Sequence, residues 1–246
     1  MKLNGFNMRK LSIVFEEKLS VVKASKFVDF EWYPYGIMNN FIHLKDMFDL
    51  IPLNELISES DKILDIGAAD GDLAFFIESL GYEVDIIDYA PTNFNNLRGA
   101  KKLKELLHSS SHIQEIDIDN QFVIEDQHYG LIFLLGILYH LKNPFFILEK
   151  LSRVSKYLVL STRIAKYTPQ GIYIKEEPLA YLLDKDEANN DSTNFWIFTE
   201  KSLLRIFDRS GWELRWINYV GDTNSSNPSD SSRDERAFAL LRSKNF

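Results

Sequence analysis

The residues of this chain whose types and spacing could do chemistry begin at Asp65. Asp65, Gly67, Ala69 and Gly71 alternate through I-L-D-I-G-A-A-D-G, residues 63–71, with Ala68 inside the turn. Apolar residues flank the aspartate and then give way to small ones, the pattern of a buried strand ending in a tight loop. Small residues let the backbone approach a ligand closely. A second apolar run, Val84, Ile86 and Ile87, ends in Asp88. That carboxylate follows the turn by roughly 20 residues, the interval at which a strand-terminal acid accepts ribose hydroxyls. A dinucleotide fingerprint starting at Gly67 would need glycines where Ala69 and Asp72 stand, so nicotinamide chemistry is disfavoured.

The elements that must position these groups follow from periodicity. Leu73, Phe76, Ile77 and Leu80 recur at helical spacing, with Asp72 in the first turn and Gly81 just past the end. Pro91 and Thr92 are expected to open a further helix that carries Leu97, Ala100, Leu103, Leu106 and Leu107. Its basic outer face, Arg98, Lys101, Lys102 and Lys104, reads as a solvated face. H-I-Q-E-I-D-I-D predicts a third strand ending near Asp117, Ile118 and Asp119, with those acids either at a ligand or exposed on a loop. Leu131 to Leu135 is apolar on both alternations, as expected of a strand covered on both faces in a parallel sheet. It runs into Gly136 to Pro144, G-I-L-Y-H-L-K-N-P, where Asn143 is expected to cap a helix with Pro144 at its first position. Tyr157 to Ser161 is the expected fifth strand. Ligands in open α/β sheets sit beyond the carboxyl ends of the strands, where Gly67, Asp88, Asp117 and the pair Tyr139 and His140 all fall on this reading.

At 246 residues the chain suits one large α/β domain. It has no cysteine, so neither disulfides nor thiolate chemistry are available, and its five histidines lack a paired metal-ligand spacing. The formal charge of -8 argues against a broad nucleic-acid footprint. The first residues lack the apolar core of a signal peptide, and no apolar run of membrane-spanning length occurs, so a soluble cytoplasmic protein without membrane contact is expected. Residues 1–40 are expected to form a lead-in and possible lid, in which Trp32 braces the domain and Tyr33 and Tyr35 lie over the ligand cleft. Residues 41–246 form the main domain. Within it, about 163–198 is an irregular insertion expected to cover the substrate, ending in Asn194, Phe195, Trp196 and Phe198. Thr199 caps a helix that Gly211 ends, and Trp212 to Val220 with Ala237 to Leu241 read as a closing antiparallel hairpin.

The spacing Asp65-x-Gly67-x-Ala69-x-Gly71 resembles motif I of the class I S-adenosylmethionine-dependent methyltransferases. The order of elements is similar to their Rossmann-like seven-stranded fold, a mostly parallel sheet with a C-terminal antiparallel hairpin. More narrowly, G-I-L-Y-H-L-K-N-P, N-F-W-I-F-T-E-K-S-L and R-D-E-R-A-F-A-L-L-R resemble the tRNA wobble-uridine carboxymethyltransferases and their relatives, over roughly residues 30 to 245. The resemblance implies S-adenosyl-L-methionine as cofactor, or its carboxylated form. Asp65, Gly67, Ala68, Ala69, Gly71, Asp88, Asp117, Ile118, Leu135 and Gly136 would bind it. It also implies that Tyr139 and Arg236 hold an extra carboxylate, with a lysine from among Lys18, Lys23 and Lys26.

A sulfonium methyl is already activated, so the enzyme needs mainly to align the acceptor and exclude water. His140 is the candidate base, having an unperturbed pKa of about 6.5. Tyr139 and Arg236 would orient an acceptor, and Tyr33, Tyr35, Asn194 and Trp196 would cover it. The leading expectation is methyl transfer to a small-molecule or sugar-like acceptor. The alternatives are methyl or carboxymethyl transfer to tRNA and a non-catalytic cofactor-binding module.

Overall fold

The structure, a computed structural model, describes residues 1–121 and 128–246, which divide into two compact units: 1–121 with 128–133, and 134–246. The first unit is built on the parallel strands β1 (Lys62–Ile66), β2 (Val84–Asp88), β3 (His112–Glu115) and β4 (Tyr129–Leu135), in the order β3-β2-β1-β4. In register Ile66 lies beside Ile87, and Asp88 beside Glu115. Gly67 and Asp88 therefore leave the sheet at the same edge on adjacent strands, and the Gly67 amide donates to the Ile87 carbonyl at 2.8 Å.

Helix α4 (Asp72–Ser79) returns from β1 to β2, burying Ala74, Phe75, Phe76 and Ile77. Residues 1–40 contain a 20-residue helix, α1 (Gly5–Ala24), capped by Asn4, whose side chain accepts from the Asn7 amide. It packs against α2 (Met38–Leu50) and α4, with Phe15 meeting Phe76 at 5.8 Å between ring centres. Pro52 separates α2 from the short α3 (Leu53–Leu56), standing at its N-cap.

The helix expected from Pro91 instead begins at Arg98, as α5 (Arg98–Leu107), after a single 3-10 turn at Ala90–Thr92. The intervening asparagines explain the delay. Asn93 Oδ1 accepts from the amides of Asn95 and Leu97, Asn95 Oδ1 accepts from Gly99, and Asn96 and Leu97 adopt φ of 57° and 62°. Asparagine side chains bond the backbone locally in this way and tolerate left-handed geometry. The basic face of α5 is paired as a solvated face would be: Arg98 with Asp29, Lys101 with Glu115 and Lys102 with Glu105. Strand β3 stops at Glu115, short of Asp117, because Asp117 turns to cap the short α6 (Ile118–Gln121).

The second unit opens on the last residues of β4, beside which β5 (Ser155–Ile164) lies in the strand order. β5 runs three residues beyond the expected Ser161 because β9 (Glu235–Ser243) pairs antiparallel along it, from Tyr157 opposite Arg242 to Ile164 opposite Glu235. β9 also pairs with β8 (Trp212–Gly221), the expected closing hairpin. Among the described residues seven strands thus follow the expected plan, and the insertion adds β6 (Ala180–Leu182) and β7 (Trp196–Phe198), antiparallel to each other. Helix α7 (Pro144–Val154) has Pro144 at its first position, yet the Asn143 side chain makes no capping bond. Thr199 does cap α8 (Glu200–Arg209), accepting from the Ser202 amide at 3.2 Å. Among the described residues no helix is long and apolar enough to cross a membrane.

Candidate functional site

In the first unit the turn after β1 is left-handed at alternate positions: φ is 72° at Gly67, 56° at Ala69 and 83° at Gly71. Such geometry turns successive backbone groups toward one side, and side chains larger than alanine resist it. At Gly71 a Cβ would also stand 2.7 Å from the Phe75 ring, so only glycine fits. The turn is closed by the Gly71 amide donating to the Ala68 carbonyl at 2.7 Å.

Asp65 lies buried just before the turn, with Oδ2 lacking a hydrogen-bond partner among the described residues. Burial, aided by the nearby Asp88 charge, pushes its carboxyl up to about 7. Asp88 is half-buried and raised for the same first reason, desolvation. Its Oδ1 accepts from the Tyr89 amide at 2.7 Å and its Oδ2 from Asn93 Nδ2 at 2.9 Å. The Ala69 amide bonds this carboxylate as well, and since a carboxylate has about four acceptor positions, capacity remains on it for ribose hydroxyls. Asn93 Nδ2 also lies 3.4 Å from the Ala69 carbonyl, joining the strand-end carboxylate to the small-residue turn.

A second polar cluster holds that turn from the amino-terminal side. Asp70, buried, accepts from Asn95 Nδ2 at 2.8 Å on one oxygen, and on the other from the Tyr33 amide at 2.8 Å and Lys23 Nζ at 3.3 Å. Lys23 Nζ reaches Asp72 Oδ2 at 2.9 Å as well and stands 5.3 Å from the Trp32 ring centre. Burial raises the Asp72 carboxyl to about 6 despite that lysine. Tyr33 Oη accepts from the Phe94 amide at 2.7 Å, and burial lifts its phenol to about 12. Tyr33 is therefore grouped with the turn and with Asp88, whereas Tyr35 is 63% exposed. Lys23, one of three lysines in the expected carboxylate-binding region, is committed to Asp70 and Asp72. Asp117 spends its carboxylate on the Asp119 amide and Asn120 Nδ2, while Ile118 beside it is buried.

The second unit brings together Gly136, Tyr139, His140, Arg163 and Arg236. Leu135 ends β4, and the Gly136 amide donates to the Ser161 carbonyl at 3.0 Å. A Cβ on Gly136 would stand 3.8 Å from Tyr139 Oη and 3.9 Å from Arg236 Nη1. The Arg236 guanidinium lies 5.7 Å from the Tyr139 ring centre. Arg163 and Arg236 face each other across β5 and β9. Asp234 bridges them, bonding Arg163 Nε through Oδ1 and Arg236 Nε through Oδ2, the latter at 2.8 Å. Two guanidiniums share one carboxylate, and Arg163 Nη1 is buried without a hydrogen-bond partner among the described residues. That leaves a net positive charge and an unused donor, suited to an anionic group.

His140 Nδ1 lies 3.1 Å from the Thr193 carbonyl and 3.0 Å from Thr193 Oγ1. Asp191 fixes that threonine, accepting from its amide at 2.9 Å and its hydroxyl at 2.6 Å. A carbonyl can only accept, so Nδ1 carries the proton and Nε2 is left as the basic nitrogen. Burial lowers the pKa of this imidazole, keeping it neutral at pH 7. Asn194 is buried and donates to the Ala188 carbonyl at 3.0 Å, and Trp196 Nε1 donates to the Lys142 carbonyl at 3.3 Å. Both are anchored parts of the insertion.

Sequence reading missed Asp70, Asn93, Asn95, Arg163 and Asp234. Three asparagines in four residues at 93–96 are a poor start to a helix, and Arg163 is a charge that follows the apolar run Tyr157 to Leu160 closely; both signals were present. Among the described residues no three acids or histidines gather as a metal site.

The left-handed small-residue turn, the half-buried Asp88 with acceptor capacity to spare and the unpartnered oxygen of Asp65 fit a nucleoside cofactor such as S-adenosylmethionine. A sequence profile of a methyltransferase domain matches residues 38–215. No curated protein sequence matches the chain. Among solved structures, the N-terminal domain of EvdMO1, crystallised in the presence of SAH and D-fucose, superposes with a TM-score of 0.57 at 16% identity, over 77% of this chain and 79% of that one. A SAM-dependent methyltransferase from Methanosarcina mazei gives 0.54 at 16% identity over 78% and 96%. The (4+2)-cyclase SpnF gives 0.57 at 11% identity over 96% of each chain. At such identities the likeness is one of fold, and the cyclase illustrates that the fold alone does not fix the reaction.

Proposed function

The chain belongs to the methyltransferase domain family, whose cofactor is S-adenosylmethionine, and on that premise we propose that it methylates a small, sugar-like acceptor bearing an anionic group. The observation that carries the cofactor half is the turn at Gly67, Ala69 and Gly71, tied by Asn93 to the Asp88 carboxylate. Asp88 accepts the ribose hydroxyls, and the turn admits the nucleoside against its backbone. Bound there, the cofactor supplies an electrophilic methyl group.

The acceptor half rests on Arg163, Arg236, Tyr139 and His140. The arginines, neutralised only in part by Asp234, hold the anionic group, and Tyr139 orients it. His140 takes the acceptor's proton on Nε2, because Thr193 and Asp191 commit Nδ1 elsewhere. EvdMO1's N-terminal domain was crystallised with D-fucose, which supports a sugar-like acceptor here. The reading is tested by screening methyl transfer to carboxylated and phosphorylated sugars against neutral ones. Turnover confined to neutral sugars would remove the anionic acceptor.

The meeting of Tyr139 with Arg236, the positions that the resemblance assigns to an extra carboxylate, favours a second reading: carboxymethyl transfer to tRNA. Mass spectrometry of the nucleoside that co-purifies separates the two, since the second requires the carboxylated cofactor.

A further inference from the structure

Helix α1 has two apolar faces. Met8, Ser12 and Leu19 are buried against the rest of the first unit, while Phe6, Ile13, Val14 and Val21, on the opposite side, are 53%, 39%, 65% and 69% exposed. At 3.6 residues per turn, Phe6, Lys10, Ile13, Val14, Glu17 and Val21 fall within an arc of about 100° and span about 22 Å of helix. A stripe of that kind on a surface is a sign of a partner.

Its order identifies the partner. The successive steps along the stripe are four, three, one, three and four residues, and they read the same in both directions. If a second copy of α1 lies antiparallel across it, with the two-fold axis between Ile13 and Val14, Phe6 comes level with Val21 and Lys10 with Glu17, each pair occurring twice, while Ile13 and Val14 each lie beside their own copies. The two-fold of an antiparallel pair keeps each residue on its own side of the stripe's midline, so Lys10 and Glu17, about 10° to either side of it at about 100° per residue, face each other across the interface, and Phe6 and Val21, about 30° off it, pack side by side. This is the self-complementarity that an isologous interface requires. Among the described residues neither Lys10 nor Glu17 forms an ion pair within its own chain, although the Lys10 ammonium lies 4.2 Å from the Phe6 ring centre.

We propose that the exposed stripe of α1 is a homodimer interface, in which two copies pack antiparallel about Ile13 and Val14 with reciprocal Lys10 and Glu17 pairs. A single helix pair is smaller than a standard interface of about 1,600 Å², so association is expected in the micromolar range.

Sedimentation velocity on the full chain, from about 1 to about 200 μM, tests this. The wild type should shift from monomer to dimer across that range. Lys10→Glu and Glu17→Lys each place like charges at two contacts per dimer and should raise the dissociation constant about tenfold. The double charge swap should return it to within about threefold of the wild type, because only this register restores both pairs. Val14→Asp, which sets two carboxylates side by side about the two-fold axis, should leave monomer throughout. All three positions are exposed, and circular dichroism verifies that the variants fold. A wild type that stays monomeric over the whole range overturns the proposal and leaves the stripe to a different protein or a lipid surface. A dimer indifferent to the single reversals, or one not rescued by the double swap, overturns it equally.

Discussion

Replacing Lys23 by methionine keeps the length of the side chain and removes one charge from the cluster that holds the amino-terminal segment against the Gly67 turn. The ammonium lies 2.9 Å from Asp72 Oδ2 and 3.3 Å from Asp70 Oδ2, and all three side chains are largely buried. Removing one partner of a buried ion pair costs about 3–5 kcal/mol, because the other charge stays desolvated. The cost should depend on pH. Burial already raises the folded Asp72 carboxyl to about 6 with the lysine present, and losing the lysine raises it further. An acid whose folded pKa lies above its unfolded value binds its proton preferentially in the native state, so the stability it supports is present at low pH and lost as pH rises through about 6. The variant's deficit should therefore be largest at pH 8 and smaller by about 1–2 kcal/mol at pH 5, where Asp72 is protonated. Urea denaturation followed by tryptophan fluorescence reads this directly, since Trp32 packs beside Lys23. A loss below about 1 kcal/mol at pH 8, or equal losses at the two pH values, would refute the claim that this cluster is a buried, load-sharing anchor.

Asp65→Asn should flatten the stability profile of the unliganded protein. The unfolded carboxyl ionises near its ordinary value and the folded one near 7, so wild-type stability falls between those limits by up to about 4 kcal/mol; denaturation midpoints at pH 5 and 8 that differ as much in the variant as in the wild type would contradict this. His140→Gln should lower kcat by about 100-fold without changing cofactor affinity. In the wild type, the rate should hold above the lowered imidazole pKa and fall as pH drops through it, because the neutral form does the work; a rate indifferent to acid would exclude His140 as the base. Arg163→Met and Arg236→Met should each raise the acceptor KM about tenfold or more while leaving cofactor binding in place, and the equivalent lysine variants should rescue poorly because the fork geometry is lost.

The parts of this molecule that were legible in the sequence are those set by local pattern. The β1 turn, β2 ending in Asp88, the α4 boundaries and the closing hairpin each follow from period, small residues or caps that act over a few positions. What could not be read depends on contacts distant in sequence. Asp70 matters because Tyr33, Lys23 and Asn95 reach it from segments 25 to 47 positions away. Arg163 matters because β9 sets Arg236 opposite it and Asp234 between them. Asp117, the more plausible ligand acid by position, proved to have a local use as a cap, a competition that spacing alone does not resolve. The late start of α5 shows the reverse lesson: the asparagines at 93, 95 and 96 were readable local signals, overridden by an attractive apolar period downstream.

The central claim is that Asp88 grips the cofactor's ribose from the end of β2 while Asn93 fastens it to the Gly67 turn. Isothermal titration of S-adenosylhomocysteine into Asp88→Ala measures it most directly. Two hydroxyl bonds to a carboxylate, at about 1.5–3 kcal/mol each, predict a loss of affinity of 100-fold or more in a variant that still folds. Affinity within about threefold of the wild type in that folded variant would contradict the account.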